Sequence, residues 1–318
     1  LTADGAVAAA PHSFLEHRDL ARAISAVENR YALPGVVAAQ FDAACARPRP
    51  ARPAFVIGIT GPPGAGKSTV TDRLIAGFRA GGDSVAVIAV DPSSPFTHGA
   101  VLGDRVRMQQ HSGDAGVYIR SMASREAGGG LAPASREAVQ LCDRAGFDVV
   151  IVETVGVGQV ELEIVALADT IVVVTVPGLG DAVQSIKAGL TEIADIFVVN
   201  MADRPGANAT AIDLVHMIRE SGREVPVLKT IGIDGTGIPE FLNALDAARA
   251  GAGPNAERAL RFDTLRRARD RAVRRAATLL DRPEAAAIFT KLKAREIDRE
   301  AARAHLDAYL ERSWNDAD

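Results

Sequence analysis

An α/β fold, a mainly parallel central sheet flanked by helices, is predicted by three features of this chain. From Ala54 onward, short β-branched runs alternate with helical patterns, as expected of strands buried on both faces and joined by crossover helices. The first run, Phe55–Thr60, passes directly into Gly61-Pro62-Pro63-Gly64-Ala65-Gly66-Lys67-Ser68, and a helical pattern follows from Thr69 to Gly81. At 318 residues and 47% hydrophobic content, the chain can bury one full α/β core and still carry helical extensions.

The elements follow in order. Residues 1–11 are small and apolar without a period and read as a disordered tail. Ser13 and Glu16 form a capping box ahead of the helical stripe Leu15, Leu20, Ile24 and Val27, which ends near Asn29, and a second short helix is expected over Pro34–Ala44. Three prolines within Arg47–Pro53 remove donors and hold the chain extended, so that stretch is a linker. The expected strands are Phe55–Thr60, Val85–Val90, Val117–Ile119, Val149–Glu153, Thr170–Thr175, Ile196–Asn200 and Val225–Lys229.

Beyond Gly253 the strand pattern stops, and alanine, leucine and alternating charges from Glu257 to Arg312 indicate a helical extension. Its arginines at 266, 267, 269, 271, 274 and 275 are interleaved with Asp263, Asp270, Leu260, Leu265 and Val273, which fits an amphipathic helix with a solvated face or a dimer arm. The expected division is an N-terminal helical extension (1–46), a linker (47–53), a P-loop nucleotide domain (54–252) and a C-terminal helical dimerisation arm (253–318).

A net charge of −4 and a pI near 5.9 give no basic field, so neither nucleic acid nor an anionic membrane is indicated as a partner. Cys45 and Cys142 stand far apart without metal-ligand spacing, so they read as inert buried thiols. Without an apolar run of about 18 residues, or a basic segment leading into a hydrophobic one, the chain reads as cytoplasmic. It begins at Leu1 rather than Met, as a trimmed or processed end would.

The chemistry concentrates where strands end. Gly61–Ser68 fits the phosphate-binding pattern G-x-x-x-x-G-K-[ST], and it lies between a strand and a helix as the mechanism needs. Backbone N–H groups from Gly61 through Thr69 would turn around phosphate, Lys67 would reach the β- and γ-phosphates, and Ser68 would hold magnesium. Asp91, heading Asp91-Pro92-Ser93-Ser94-Pro95, follows the second strand as an acid able to meet the metal, and Gly103-Asp104-Arg105 offers another in a candidate switch loop.

Glu153-Thr154-Val155-Gly156-Val157-Gly158-Gln159 occupies the place where P-loop GTPases carry Asp-x-x-Gly. Glu153 would hold magnesium, through water given its longer side chain, and Gln159 is a candidate for orienting attacking water. Asn200-Met201-Ala202-Asp203 is similar to the guanine-reading Asn-Lys-x-Asp, with Asp203 accepting from guanine N1–H and the N2 amino group. Met201 replaces the usual lysine, so weaker nucleotide binding is expected with guanine selectivity kept. The polar, glycine-rich stretch Thr230–Gly237 is a candidate to close over the base.

Together these runs resemble the methylmalonyl-CoA mutase-associated GTPases, the MeaB/ArgK group, over about residues 13 to 312. The resemblance implies a homodimeric, GTP-hydrolysing chaperone that gates adenosylcobalamin delivery to methylmalonyl-CoA mutase and protects that enzyme. It implies GTP/GDP and Mg2+ as cofactors, with Lys67 and Ser68 on phosphate and metal, Asp91, Asp104 and Glu153 around the metal, and Asn200 and Asp203 on guanine. It also implies that Pro177 through Lys187 is an additional switch communicating with the mutase.

Other readings stand beside it. A nucleotide-binding regulatory scaffold with little hydrolysis fits Met201 and the absence of an arginine finger fixed by sequence. A kinase acting on a transport protein would need adenine tolerance, against which Asn200 and Asp203 argue. A nickel-delivery GTPase should carry Cys or His clusters, whereas His98 and His111 are isolated. No cobalamin-ligating motif is apparent, so that cofactor is not expected to touch the chain.

Overall fold

Seven strands form one parallel sheet in the order β3-β2-β4-β1-β5-β6-β7. The computed structural model describes residues 17–30, 52–91, 108–111, 113–123, 131, 134–154, 162–178, 190–251, 264, 268, 271–273 and 275–315. The capping box at Ser13 and Glu16 and the helix expected over Pro34–Ala44 lie outside them. The chain divides into two compact units, Leu1–Ala259 and Leu260–Asp318.

In the first unit, the strands are β1 (Phe55–Thr60), β2 (Val85–Asp91), β3 (Val117–Ala123), β4 (Val149–Glu153), β5 (Thr170–Thr175), β6 (Ile196–Val199) and β7 (Val227–Lys229). Its main helices are α1 (His17–Arg30), α2 (Lys67–Ala80), α3 (Ser135–Ala145), α4 (Ala207–Glu220) and α5 (Ile238–Ala250). Strand order reverses about β1, which pairs with β4 on one side and β5 on the other. In such a sheet the crevice beyond the carboxyl ends of the strands is where a ligand fits.

Side chains alternate across each strand, so the sheet feeds two cores. Phe55, Ile57, Ile59, Val87, Ile151 and Val174 pack with Val70, Leu74 and Phe78 of α2 and with Phe241 and Leu245 of α5. On the opposite face, Val173, Phe197 and Val199 pack with Leu214 and Ile218 of α4. Every β1, β4 and β5 residue is buried, which explains the apolar runs at their centres, with polar residues only at the ends. At the amino ends of the strands, carboxylates accept from backbone N–H groups: Asp143 from Ala54 at 2.8 Å, Asp148 from Ser84 at 2.8 Å and Asp195 from Ile171 at 2.8 Å.

Two polar contacts bind α2 to the chain entering β3. Asp72 pairs with His111 Nε2 at 3.0 Å. Arg79 donates Nε and a terminal nitrogen to the two Asp114 oxygens at 2.8 and 2.9 Å, and Gly116 N–H donates to the same carboxylate at 2.8 Å. A side chain at Gly116 would collide with the Arg79 guanidinium, its Cβ lying 2.3 Å from Cζ. The Arg79 hydrogen bond, followed by that of Gly116 N–H, holds the Asp114 carboxyl below the usual carboxylate range despite partial burial.

Ionised Asp114 stabilises the fold above its unfolded value, and this stability is lost as pH falls through its lower folded value. Asp114→Asn should therefore lower stability at neutral pH, by about 1 kcal/mol because the pair is partly solvated. In urea titrations, the gap between variant and wild type should narrow as acid protonates Asp114.

In the second unit, α6 (Pro283–Lys293) and α7 (Arg299–Asn315) form a helical pair. Leu279, Ala285 and Tyr309 make its small core, and the Tyr309 hydroxyl donates to the Leu279 carbonyl at 3.1 Å.

Candidate functional site

The loop after β1 takes its shape from glycines. Gly61 has φ 136°, and a Cβ there would lie 1.9 Å from the Val174 carbonyl oxygen of β5, so no side chain fits. Gly64 (φ 77°) and Gly66 (φ 81°) also adopt the left-handed region, and Gly66 starts α2 without a side-chain cap. No acid sits in the first turn of α2. Its positive end is thus left for an anion, with Pro62, Pro63 and Gly64 forming the more open part of the loop.

Lys67 and Ser68 are the first two residues of α2, and both are buried. The Lys67 ammonium donates to the carbonyls of Gly61 at 2.9 Å and Pro62 at 3.2 Å, which folds the side chain back across the loop. The Ser68 hydroxyl donates to Glu153 Oε1 at 2.7 Å, and Thr71, one turn further along α2, donates to Oε2 at 3.0 Å. Glu153, only 2% exposed, reaches this position because β4 pairs with β1 in the register Ile59↔Glu153. The next residue, Thr154, ties the two strand ends together through Thr60 Oγ1 at 3.1 Å.

The serine hydroxyl and the carboxylate are hard oxygen donors of the kind magnesium takes. Asp91 is the last residue of β2, but its side chain, like Asp104 and Gln159, lies outside the described residues. Among the described residues no three His, Cys, Asp or Glu side chains cluster as metal ligands.

The second half of the site follows β6. Asn200, 2% exposed, donates its amide to the Ala65 carbonyl at 2.9 Å. Its oxygen accepts from Thr230 Oγ1 at 3.1 Å and from Gly232 N–H at 3.0 Å. Asn200 therefore braces the phosphate-type loop against the 230–232 segment, and its amide faces protein on both ends. Asp203, in contrast, is exposed, with its carboxylate in solvent.

Met201 lies between them in the left-handed region (φ 55°) and packs its side chain on the core shared with α2. Its methyl end reaches the loop, 3.6 Å from where a Cβ on Gly66 would be. An unbranched thioether fills that gap without the ammonium a lysine would bring.

The 230–237 stretch is a compact loop closed by the antiparallel bridge Ile231↔Thr236. Thr230 O accepts from Ala202 N–H at 3.0 Å, which joins this loop to the turn that carries Asp203. Arg73 of α2 holds its other side, donating Nε to the Gly232 carbonyl at 2.9 Å and a terminal nitrogen to the Ile233 carbonyl. Thr69, also on α2, lies beneath Gly232, where a Cβ would come 3.2 Å from its methyl.

Three of these contacts were not read from the sequence. Thr71 carried a usable signal, since it follows Ser68 by three residues and so shares its helix face. Arg73 carried none, and Thr230 only its place in the loop expected to close over the base, because their partners are distant in the chain.

The family described as methylmalonyl Co-A mutase-associated GTPase MeaB matches residues 20–282. A Pyrococcus abyssi protein named "Putative GTPase" is 56% identical over 203 residues, 62% of this chain and 63% of that protein. The chain thus spans less than two thirds of that relative's length. A fused isobutyryl-CoA mutase of Cupriavidus metallidurans is 40% identical over 209 residues, covering 65% of this chain and 19% of that protein. Among solved structures, one titled LAO/AO transport system kinase superposes with a TM-score of 0.65 at 27% identity, covering 93% of this chain and 94% of the other.

These matches give the glycine loop, the buried Ser68–Glu153 pair and the Asn200 brace a common setting, the P-loop NTPase fold. The chain belongs to the methylmalonyl Co-A mutase-associated GTPase MeaB family.

Proposed function

We propose that this chain hydrolyses GTP to GDP and phosphate with magnesium, and uses the nucleotide state to gate adenosylcobalamin delivery to, and protect, methylmalonyl-CoA mutase. The observation that carries the catalytic part is the buried Lys67, Ser68 and Glu153 arrangement at the start of α2. The lysine is held over the loop by two carbonyls that a triphosphate would replace with charged oxygens, a stronger partner for an ammonium.

In this reading, backbone N–H groups from Gly61 to Thr69 cradle the phosphates, and Lys67 shares the charge that develops on the γ-phosphate in transfer. Ser68, Glu153, Asp91 and Asp104 would hold magnesium, which when bound neutralises phosphate charge. Gln159 orients the attacking water. Asp203, exposed beside the braced Asn200, accepts from guanine N1–H and the N2 amino group, and adenine offers no matching pair of donors.

The mutase part rests on the family and on the fused relative, where a segment like this one shares a chain with an isobutyryl-CoA mutase. The proposed working form is a homodimer joined through the C-terminal arm, in the cytoplasm, with no nucleic acid or membrane partner. Among the described residues no helix is long and apolar enough to cross a membrane. The switch expected over Pro177–Lys187 lies mostly outside the described residues, which stop at Gly178.

Phosphate release from GTP and from ATP, measured with and without methylmalonyl-CoA mutase, tests all of this. GTP should turn over in preference to ATP, and the mutase should accelerate it. Comparable ATP turnover would remove the role given to Asp203. Turnover indifferent to the mutase would remove the partner, and GTP binding without phosphate release would leave a regulatory scaffold.

A further inference from the structure

We infer that Arg73, on the helix that follows the phosphate loop, is a positioning residue for base discrimination. The inference rests on the reading of this site as a guanine-nucleotide site. Asp203 lies on an exposed turn, and its own side chain does not fix where that turn stands relative to the phosphates. The turn is held by the Ala202 N–H to Thr230 O bond and by Asn200, which accepts from Thr230 and Gly232. Both routes end on the 230–233 segment.

That segment is clamped from its far side by Arg73, through the carbonyls of Gly232 and Ile233. Gly232 is buried and its bond to Arg73 is partly so, whereas the Ile233 carbonyl is exposed, so water replaces the guanidinium less readily at Gly232 than at Ile233. Beyond Ile233 the loop reaches solvent, with Ile233 itself 80% exposed. The remaining ties near the tip are local: Asp234 accepts from Thr236 N–H at 2.8 Å, and Ile231 bonds Thr236. Arg73 therefore sets the height of the loop above α2.

The same helix carries Lys67 and Ser68 at its start, so a single rigid element registers the base-side loop against the phosphate side. A guanidinium suits this task because its planar fork meets two successive carbonyls at once, which an ammonium on a flexible stem does less well. Arg73 is predicted to act on guanine and not on phosphate. It contacts no part of the Gly61–Ser68 loop in the bonds described above.

The test is the equilibrium affinity of the full chain and of Arg73→Ala and Arg73→Lys for GDP and for ADP, by fluorescence competition. For wild type, GDP should bind about a hundredfold tighter than ADP, as expected when one carboxylate–base pairing is made or lost. Arg73→Ala should weaken GDP about tenfold while ADP moves less than about twofold, so the preference for GDP falls to about tenfold, and Arg73→Lys should fall between.

A ratio that stays within twofold of wild type in both variants overturns the inference, as does an equal loss for GDP and ADP. If Arg73→Ala does not fold, the ratio in Arg73→Lys decides alone. Wild-type protein that fails to prefer GDP would overturn the guanine reading itself, a result distinct from discrimination that survives in the variants.

Discussion

Replacing Lys67 with alanine is expected to weaken GTP binding by about a hundredfold or more and to abolish turnover, since at least two charge-assisted hydrogen bonds of roughly 1.5–3 kcal/mol each are lost. The buried ammonium lies on the Gly61 and Pro62 carbonyls of the loop, and alanine removes it altogether. Alanine is a good residue for the first position of a helix, so α2 should still form, and circular dichroism should report an unchanged fold. Arginine is not expected to rescue binding, because its larger planar head does not fit the space between two carbonyls that a compact ammonium fills. Titration with a fluorescent GTP analogue measures the effect, and an affinity unchanged in Lys67→Ala would sink the assignment of this loop to phosphate.

Lys67 was accessible from sequence because everything that places it is local: a buried strand, three glycines and a helix within one short run. The strands were accessible for a related reason, since β1, β4 and β5 are buried on both faces and carry polar residues only at their ends, at Thr60, Glu153, Thr170 and Thr175. Element ends differ from the sequence pattern where a strand or helix meets something else. The expected Val117–Ile119 runs on to Ala123 because Arg120, which looks like a break, is absorbed by Ser25 and Glu28 of α1. β7 starts at Val227 rather than Val225, since Pro226 offers only its carbonyl, taken by Phe197 N–H. α2 begins at Lys67, not Thr69, because Gly66 takes the left-handed cap and brings the lysine into the helix.

The site divides in the same way. Glu153 and Asn200 were marked as strand-end residues, yet their partners Thr71, Ala65, Thr230 and Gly232 follow only from the order in which strands pair. Met201 stood out as the missing lysine, but its left-handed backbone and its packing on the core appear only in three dimensions. Sequence resemblance groups Asn200 with Asp203 as readers of guanine; the structure adds that the Asn200 amide holds two protein loops together, while Asp203 faces solvent.

That difference gives the second large effect. Asn200→Ala should destabilise the protein by about 2–4 kcal/mol, because a side chain with three buried hydrogen bonds is removed and the Ala65 carbonyl and Gly232 N–H are left facing a void. Asn200→Asp keeps the shape and the oxygen that accepts from Thr230 and Gly232, but it turns an acceptor toward the Ala65 carbonyl and buries a charge. It should therefore fail to rescue, which separates loss of the amide donor from loss of volume. Both variants should lose GDP and ADP affinity together by tenfold or more, because the brace reaches the phosphate loop as well as the base-side loop. Arg73 grips only the base-side loop and should change the ratio of the two nucleotides instead. Thermal melts with paired GDP and ADP titrations distinguish the patterns, and an Asn200→Ala protein that melts like wild type while losing only GDP would show that Asn200 meets the base directly.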